Sequence, residues 1–220
     1  MEMEMDSKTG SRNLFELIYG VLFDPASTFR GLADSPPFRD SVAILLILTI
    51  ANALTGFIFF RATLADFPGF GYGVPDPGPW LLIPVVLLAL IFTSLKYFLY
   101  GAVLHLLAES WGGRGTPKGT LTVYALAALP GIFLIPFELI MKLFNFPEAA
   151  VAVLGLITGL AVLVWGVVLL VVGLREVHHF RTDEAALTVF TPPAALIFLM
   201  IIFFVIIAVF AGAFAAATGL

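Results

Sequence analysis

Long apolar runs without charge constrain the fold of this chain more than any other sequence feature. The first of them, residues 41–60, contains twenty residues and no charged side chain. A helix of about 20 apolar residues spans the roughly 30 Å hydrocarbon core of a bilayer. Charged residues make up only 12% of the chain, against about 25% in soluble domains. The sequence therefore predicts an all-α, polytopic integral membrane protein.

The apolar runs divide the chain into five predicted transmembrane helices and a short N-terminal region. The predicted spans are residues 41–60, 80–108, 120–144, 149–174 and 192–220. Residues 1–12 are polar and acidic without periodicity, which predicts disorder. Residues 13–40 are expected to form short amphipathic helices at the cytoplasmic side of the membrane. Residues 61–79, 111–119 and 175–190 are the main predicted connectors.

The N-terminal region contains two patterns that are typical of helix starts. Asn13 followed by Glu16 fits a capping box, in which each side chain satisfies a free backbone N–H. Asp24 followed by Pro25 fits an N-cap and the first helical position. Apolar side chains recur at helical spacing at Leu14, Leu17, Ile18, Val21 and Leu22. So short a helix either lies in the headgroup layer or packs against other cytoplasmic segments.

The distribution of basic residues predicts the orientation in the membrane. Of the eleven Lys and Arg residues, eight fall on the N-terminal side of the five spans, two on the other side and one within a span. The eight are Lys8, Arg12, Arg30, Arg39, Arg114, Lys118, Arg175 and Arg181. Loops rich in Lys and Arg stay in the cytoplasm, and acids contribute little to this rule. We expect a cytoplasmic N-terminus and an external C-terminus, in the plasma membrane if the chain is prokaryotic.

Three sequence features occur in order along these spans. The first is Asp24-Pro25 just before the first span, the second is GGRGTPKGTLTVYALAALP, and the third is VWGVVLLVVGLREVHHFRTDEAA. Together with the number of spans, they resemble the Yip (Ypt-interacting protein) family of five-span membrane proteins in its prokaryotic branch. The positions that carry the resemblance are Pro25, Phe29, Tyr124, Pro130, Trp165 and Gly173.

The resemblance implies five spans, a cytoplasmic N-terminus and a role in binding partners or organising membranes. It brings no catalytic residues with it. Eukaryotic members of the family bind Rab-type GTPases in endoplasmic-reticulum and Golgi membranes and are linked to vesicle transport. Their N-terminal signature, Asp-Leu-Tyr-Gly-Pro, is absent here, and the nearest text is Ile18-Tyr19-Gly20-Val21. The Rab and vesicle roles are therefore not carried over to this chain.

Lys96, Glu138 and Asn52 are polar side chains inside predicted spans, where a charge is costly and usually functional. Lys96 lies near the middle of the second span, and Glu138 lies about 27 Å along the third by helical rise. A small transporter or channel that uses these two residues is one alternative function. Otherwise we expect Lys96 to be buried among helices, and Glu138 to pair with Lys142 one turn further on. Asn52 is expected to bond a neighbouring helix.

Histidines and carboxylates near the cytoplasmic boundary support a second alternative. His105 and Glu109 are four residues apart and share a helix face, and His178 and His179 lie near several acids. Imidazole and carboxylate groups are suitable ligands for zinc and similar ions. A metal-dependent membrane enzyme is thus an alternative, although adjacent histidines point to different faces of a helix. A solvated interfacial cluster explains the same residues, and we expect no metal and no cofactor.

Other chemistry is sparse in this sequence. The chain contains no cysteine, which excludes disulfides and thiolate catalysis. It has no His-Glu-x-x-His motif and no basic patch with interleaved aromatic residues, so we expect neither an enzyme nor a nucleic-acid partner. The predicted function is contact with proteins or lipids at the cytoplasmic face. The expected partners are the lipid bilayer, a membrane or cytoplasmic protein, and a second copy of the chain. The predicted contact surface contains Arg114, Lys118, Arg175 and Arg181.

Overall fold

The structure, a computed structural model, describes residues 14–65 and 78–218, and its regular elements there are all helical. The elements are α1 (Leu14–Phe23), α2 (Pro25–Arg30), α3 (Phe38–Ala65), α4 (Leu82–Ser110), α5 (Pro117–Leu126), α6 (Leu134–Leu143), α7 (Glu148–His178) and α8 (Thr182–Thr218). Short 3₁₀ turns cover Pro79–Leu81 and Leu129–Phe133. The predicted disorder of residues 1–12, the cap at Asn13 and most of the 61–79 connector lie outside the described residues.

Five segments of the described chain are long and apolar enough to cross a membrane. They are Phe38–Arg61, Pro79–Ser110, Pro117–Leu143, Glu148–His178 and Thr182–Phe214. This finding confirms the predicted all-α, five-span fold class. The first span continues beyond its predicted end, because α3 remains helical to Ala65.

The third span changes geometry halfway along its length. It consists of α5, the 3₁₀ turn Leu129–Phe133 and α6. Pro130 lies near the start of the turn, where its missing N–H and its ring favour a break in the α-helix. Pro136 is tolerated in the first turn of α6, because N–H groups there lack an intrahelical acceptor.

The charged connector predicted at residues 175–190 is mostly helical. His179 ends α7 with a left-handed backbone, φ 56°, a conformation that often terminates helices. The backbone N–H of Arg181 then donates to the Glu184 carboxylate at 2.9 Å, which completes half of a capping box. As a result α8 begins at Thr182 rather than at the predicted residue 192, and two prolines lie inside it.

The bundle has two ends. The His178 end contains the ends of α4 and α7 and the starts of α5 and α8. At this end the Arg114 backbone N–H donates to the His178 carbonyl at 3.2 Å. The Asn145 end contains the connection between α6 and α7. At that end the Lys142 ammonium lies 5.1 Å from the centre of the Phe59 ring, so α3 also finishes there.

The hydrophobic core lies towards the His178 end, where α1 and α2 fold back onto the spans. Leu17, Val21 and Leu22 of α1 are buried, and Phe29 of α2 is fully buried. Gly173 of α7 makes this close packing geometrically feasible. A Cβ atom there would lie 2.4 Å from Val123 and 3.2 Å from the Phe29 ring. In contrast, the apolar side chains of α8 from Leu196 onward are exposed and would contact lipid.

Candidate functional site at the His178 end

Helix α1 presents an apolar face on its outer side as well as on its inner side. Phe15, Tyr19 and Phe23 are 59–79% exposed and follow one another at four-residue spacing, so they form one stripe along the helix. We call these three residues the aromatic stripe. The Tyr19 and Phe23 rings are 4.8 Å apart. Helix α1 also contacts the Leu129–Phe133 turn within the third span. Helix α1 therefore lies alongside the third span, and the stripe is on its exposed side.

An ion pair joins α2 to the end of α7. The Arg30 Nε atom lies 2.9 Å from Glu176 Oε2, and the Arg175 Nε atom lies 3.0 Å from Glu176 Oε1. Glu176 is largely buried, whereas Arg30 is exposed. The hydrogen bond with Glu176 and, to a lesser extent, the negative charge of Glu176 raise the pKa of Arg30 above its ordinary value. Both carboxylate oxygens of Glu176 thus accept a hydrogen bond, and the bond from Arg30 attaches the N-terminal helices to the bundle.

A buried network of two histidines and a threonine lies at the same end. The Gly115 backbone N–H donates to His178 Nδ1 at 3.2 Å, so in the neutral ring the proton belongs on Nε2. That Nε2 lies 2.8 Å from Thr120 Oγ1, and Thr120 Oγ1 lies 3.1 Å from His105 Nδ1. His105 Nε2 in turn lies 3.4 Å from the exposed Glu109 carboxylate. The network connects α7, α5 and α4.

The network has a defined direction when both histidines are neutral. The His178 Nε2–H donates to the Thr120 oxygen, and the single Thr120 hydrogen then donates to His105 Nδ1, with the Thr116 carbonyl at 3.3 Å as its alternative acceptor. The remaining His105 proton then points to Glu109. All the nitrogen atoms have partners within the protein. The arrangement therefore fastens three helices without requiring an added ligand.

The Gly-rich connector between α4 and α5 wraps around the His178 side chain. A Cβ atom on Gly113 would lie 2.7 Å from His178 Nδ1, and one on Gly115 would lie 2.8 Å from the same ring. On the other side, the Phe180 ring stacks on His178 with centroids 5.3 Å apart. Glycine is needed here because any larger residue would collide with the imidazole. The sequence contained this signal in GGRG, but nothing there connected it to His178.

The four candidate metal ligands do not form a single site. His178 and His105 are both buried, while His179, the neighbour of His178, is exposed. Among these four candidates, the pair at ion-pair distance is His105 and Glu109. Across residues 14–65 and 78–218, no three His, Asp or Glu side chains converge as a metal ion would require. The structure therefore does not favour the metal-enzyme alternative.

The four basic residues of the predicted contact surface fall into two classes. Arg175 pairs with Glu176, and Arg181 Nε lies 3.4 Å from Asp183. Arg114 and Lys118 are exposed and form no ion pair with any other residue that the structure describes. Because their charges are not already neutralised by a described neighbour, Arg114 and Lys118 are the better candidates to contact a partner.

The structure contradicts the predicted burial of Lys96. Its side chain is exposed on the surface of α4, beside a cleft between helices. Neither Lys96 nor Glu138 forms an ion pair in the described part of the chain, and Glu138 is exposed on α6. The expected ion pair between Glu138 and Lys142 is also missing, and Lys142 instead contacts the Phe59 ring. With their charges apart, the two residues do not support the transporter alternative.

Asn52 also differs from its prediction. Its Nδ2 donates to the Leu48 carbonyl of its own helix at 2.8 Å, rather than to a neighbouring helix. The physical reason is its position: the side chain is exposed on α3. An amide facing lipid must find an acceptor, and the carbonyl one turn earlier is within reach.

Comparison with models of protein families decides the relationship that the motifs indicated. The Yip1 domain model matches residues 19–205. The chain belongs to the Yip1 domain family. The match extends from α1 into α8 and includes all six positions on which the resemblance rested. No curated protein and no solved structure shows significant similarity to the chain.

Several motif positions in this Yip1 domain have a visible structural role. Pro25 is the first residue of α2, and Pro130 is buried in the 3₁₀ turn of the third span. The Tyr124 ring stacks on Tyr97 with centroids 5.9 Å apart. Trp165 is 43% exposed on α7 and would contact lipid. The positions whose contacts are visible hold helices together.

Proposed function

We propose that this Yip1 domain protein organises membranes by contacting proteins or lipids. We propose further that the surface that makes these contacts, the working surface, is the His178 end and that it faces the cytoplasm. The observation that carries the proposal is the exposed aromatic stripe on α1. Helix α2 and the Arg30–Glu176 ion pair connect α1 to the His178 end, where Arg114 and Lys118 are exposed and form no ion pair with a described residue. An apolar surface for lipid and free positive charge for a partner thus occur together.

The aromatic stripe supports the lipid part of this proposal. Helix α1 is too short to cross a bilayer, and its inner face is already packed on the bundle. Aromatic side chains are enriched at the boundary between hydrocarbon and headgroups. The Arg30–Glu176 ion pair would hold α2, and with it α1, at a constant position relative to the spans. The stripe would therefore anchor this end of the protein in one leaflet.

The unpaired cations support the partner part of this proposal. Exposed charges guide the approach of a partner of opposite sign and determine which partners are accepted. Anionic lipid headgroups on the cytoplasmic leaflet would be attracted by the same charges. A membrane or cytoplasmic protein, anionic lipid, and a second copy of the chain are the partners that we infer. At the Asn145 end, in contrast, the Lys142 ammonium already contacts the Phe59 ring.

We expect the His178 end to be cytoplasmic, and single cysteines can test this orientation. The native chain contains no cysteine, so Asp183→Cys and Glu148→Cys each introduce one thiol, at opposite ends of the bundle. In intact cells an impermeant maleimide should label Glu148→Cys and should reach Asp183→Cys only after permeabilisation. The reverse labelling pattern would show that the proposed orientation is wrong.

We expect changes at the His178 end to weaken partner contacts. The double variant Arg114→Gln and Lys118→Gln should lower the yield of photo-crosslinked partner in native membranes by roughly three- to tenfold, as the loss of two surface charges implies. The triple variant Phe15→Ser, Tyr19→Ser and Phe23→Ser should lower it as well. Membrane levels of the protein should remain near those of the wild type.

The matched control changes similar residues at the Asn145 end. Lys142 is basic, and Phe144 and Phe146 are exposed aromatic residues. The variant Lys142→Gln, Phe144→Ser and Phe146→Ser should leave crosslinking unchanged. If this variant alone abolishes crosslinking, the working surface lies at the other end and the proposal fails.

A further inference from the structure

A cleft of about 340 Å³ opens on the side of the bundle, away from the surface proposed above. Residues of α3, α4, α5 and α7 line it. Its mouth lies on the outer surface, because Lys96 on α4 and Leu163 on α7 are both exposed. These two helices belong to membrane spans. The cleft therefore opens sideways towards lipid.

The polar groups of the cleft converge on one wall. Lys96, Tyr100 and Tyr124 all line it, and the Tyr100 and Tyr124 rings are 5.2 Å apart. The neighbouring Tyr97 hydroxyl already donates to the Leu121 carbonyl at 3.0 Å. In contrast, the Tyr100 and Tyr124 hydroxyls donate to no residue in the described part of the chain. One ammonium group and two hydroxyl donors are thus available to an incoming anion.

The part of the lining that α7 and α3 contribute is apolar. It consists of Leu163, Val167 and Leu170 on successive turns of α7, together with Leu45 of α3. A continuous apolar strip of this kind suits an acyl chain lying along the helix. A ligand that fits both parts of the lining has a negatively charged head and an apolar tail.

The positions of the lining residues along α7 and α4 give the depth of the cleft in the membrane. Gly166 and Leu170 precede Gly173 by one to two helical turns, so the cleft lies roughly 5–10 Å along α7 from the place where α2 packs. Helix α2 contacts α7 at Phe29 and cannot cross a bilayer. The cleft therefore lies in the half of the bilayer next to the His178 end, and it reaches inward to Lys96 near the middle of α4.

We propose that this cleft draws the anionic headgroup of a phospholipid below the surrounding headgroup layer, with Lys96, Tyr100 and Tyr124 holding the phosphate region. Its volume is at the lower end of the range for small-molecule sites, about 300–1,000 Å³. The cleft therefore holds the headgroup and the first part of a chain rather than a whole lipid. This role gives Lys96 a counter-ion from the membrane, which the described residues do not supply.

Lipid binding to the full-length protein tests the proposal. Native mass spectrometry would follow titrations with phosphatidylglycerol and with phosphatidylcholine of identical acyl chains. We expect the wild type to prefer phosphatidylglycerol. The variant Lys96→Met should weaken binding of phosphatidylglycerol by about tenfold, the usual effect of losing one charged hydrogen bond. It should weaken binding of phosphatidylcholine less, because the choline cation offsets the phosphate charge. The conservative Lys96→Arg should retain most of the preference.

Two further sets of variants keep the test decisive. Tyr100→Phe and Tyr124→Phe retain the rings and remove only the hydroxyls, so each should fold and should weaken phosphatidylglycerol binding severalfold. Lys142→Met removes a lysine outside the cleft and should change nothing. If Lys142→Met weakens binding as much as Lys96→Met, or if none of the cleft variants changes it, the lipid is unspecific surface lipid and the proposal is overturned.

A soluble competitor distinguishes a membrane lipid from a small phosphate compound. Glycerol phosphate carries the same anionic group but no acyl chain, so we expect it not to displace phosphatidylglycerol. Efficient displacement would assign the cleft to a soluble phosphate ligand and overturn the lipid assignment. Partner crosslinking at the His178 end is a separate measurement, so failure of one proposal does not imply failure of the other.

Discussion

Replacing His178 with alanine is expected to destabilise the protein by about 3 kcal/mol or more. The ring is 1% exposed and bonds both the Gly115 N–H and the Thr120 hydroxyl. Its removal leaves a cavity between α7 and the Gly-rich connector, and it leaves buried polar groups without partners. Each unsatisfied buried group adds about 1–3 kcal/mol to the loss. Thermal melting or denaturant titration in detergent micelles would measure the difference.

The adjacent histidine is the matched control for this prediction. His179 is exposed, so His179→Ala should change stability by only about 0.5 kcal/mol. The variant His178→Asn offers an oxygen acceptor in place of Nδ1, so it should retain the bond from Gly115 and recover part of the loss. Equal stability of His178→Ala and His179→Ala would contradict the network as a determinant of stability.

Replacing Gly173 with leucine should have the second large effect, a loss of about 3 kcal/mol. A Cβ atom at this position already lies 2.4 Å from Val123 Cγ1, and Phe29 closes the opposite side at 3.2 Å. Val123 is fully buried and β-branched, so it cannot rotate out of the way. The leucine must push α2 or α5 away from α7. The same stability measurements should detect the loss.

A second glycine of α7 supplies the control. A Cβ atom on Gly159 meets nothing within 4 Å, so Gly159→Leu should be neutral or slightly stabilising, since leucine favours helix more than glycine does. Displacement of α2 in Gly173→Leu should also weaken the Arg30–Glu176 ion pair. A Gly173→Leu protein as stable as the Gly159→Leu protein would show that the packing of α2 on α7 is loose.

The five spans could be predicted from the sequence because their signal is local. An uncharged run long enough to cross a bilayer is recognisable without knowing its neighbours, and the structure confirms five such helices. Helix boundaries were less accurate. The sequence indicated a start for α8 at residue 192, whereas the cap at Arg181 and Glu184 begins the helix earlier. Charges in residues 175–190 had been interpreted as a connector, although they belong mainly to helix ends.

The family relationship also came from the sequence, and the match over residues 19–205 confirms it. The order of the three motifs was sufficient, because each motif lies within one continuous stretch of chain. Their physical role was not predictable in the same way. That Gly173 faces Phe29 and Val123 depends on how α2, α5 and α7 come together.

The proximity of His105 and Glu109 followed from their four-residue spacing, since one helix turn places them side by side. The network from His105 through Thr120 to His178 could not be predicted from spacing, because it joins three helices. Likewise, nothing in the sequence separated the paired Arg175 and Arg181 from the unpaired Arg114 and Lys118, or placed Lys96 at a lipid-facing cleft. Sequence alone determined the number and the apolar character of the spans, which depend on neighbouring residues in the chain. Only the tertiary structure decided which polar groups meet, because those partners come from distant segments brought together by packing.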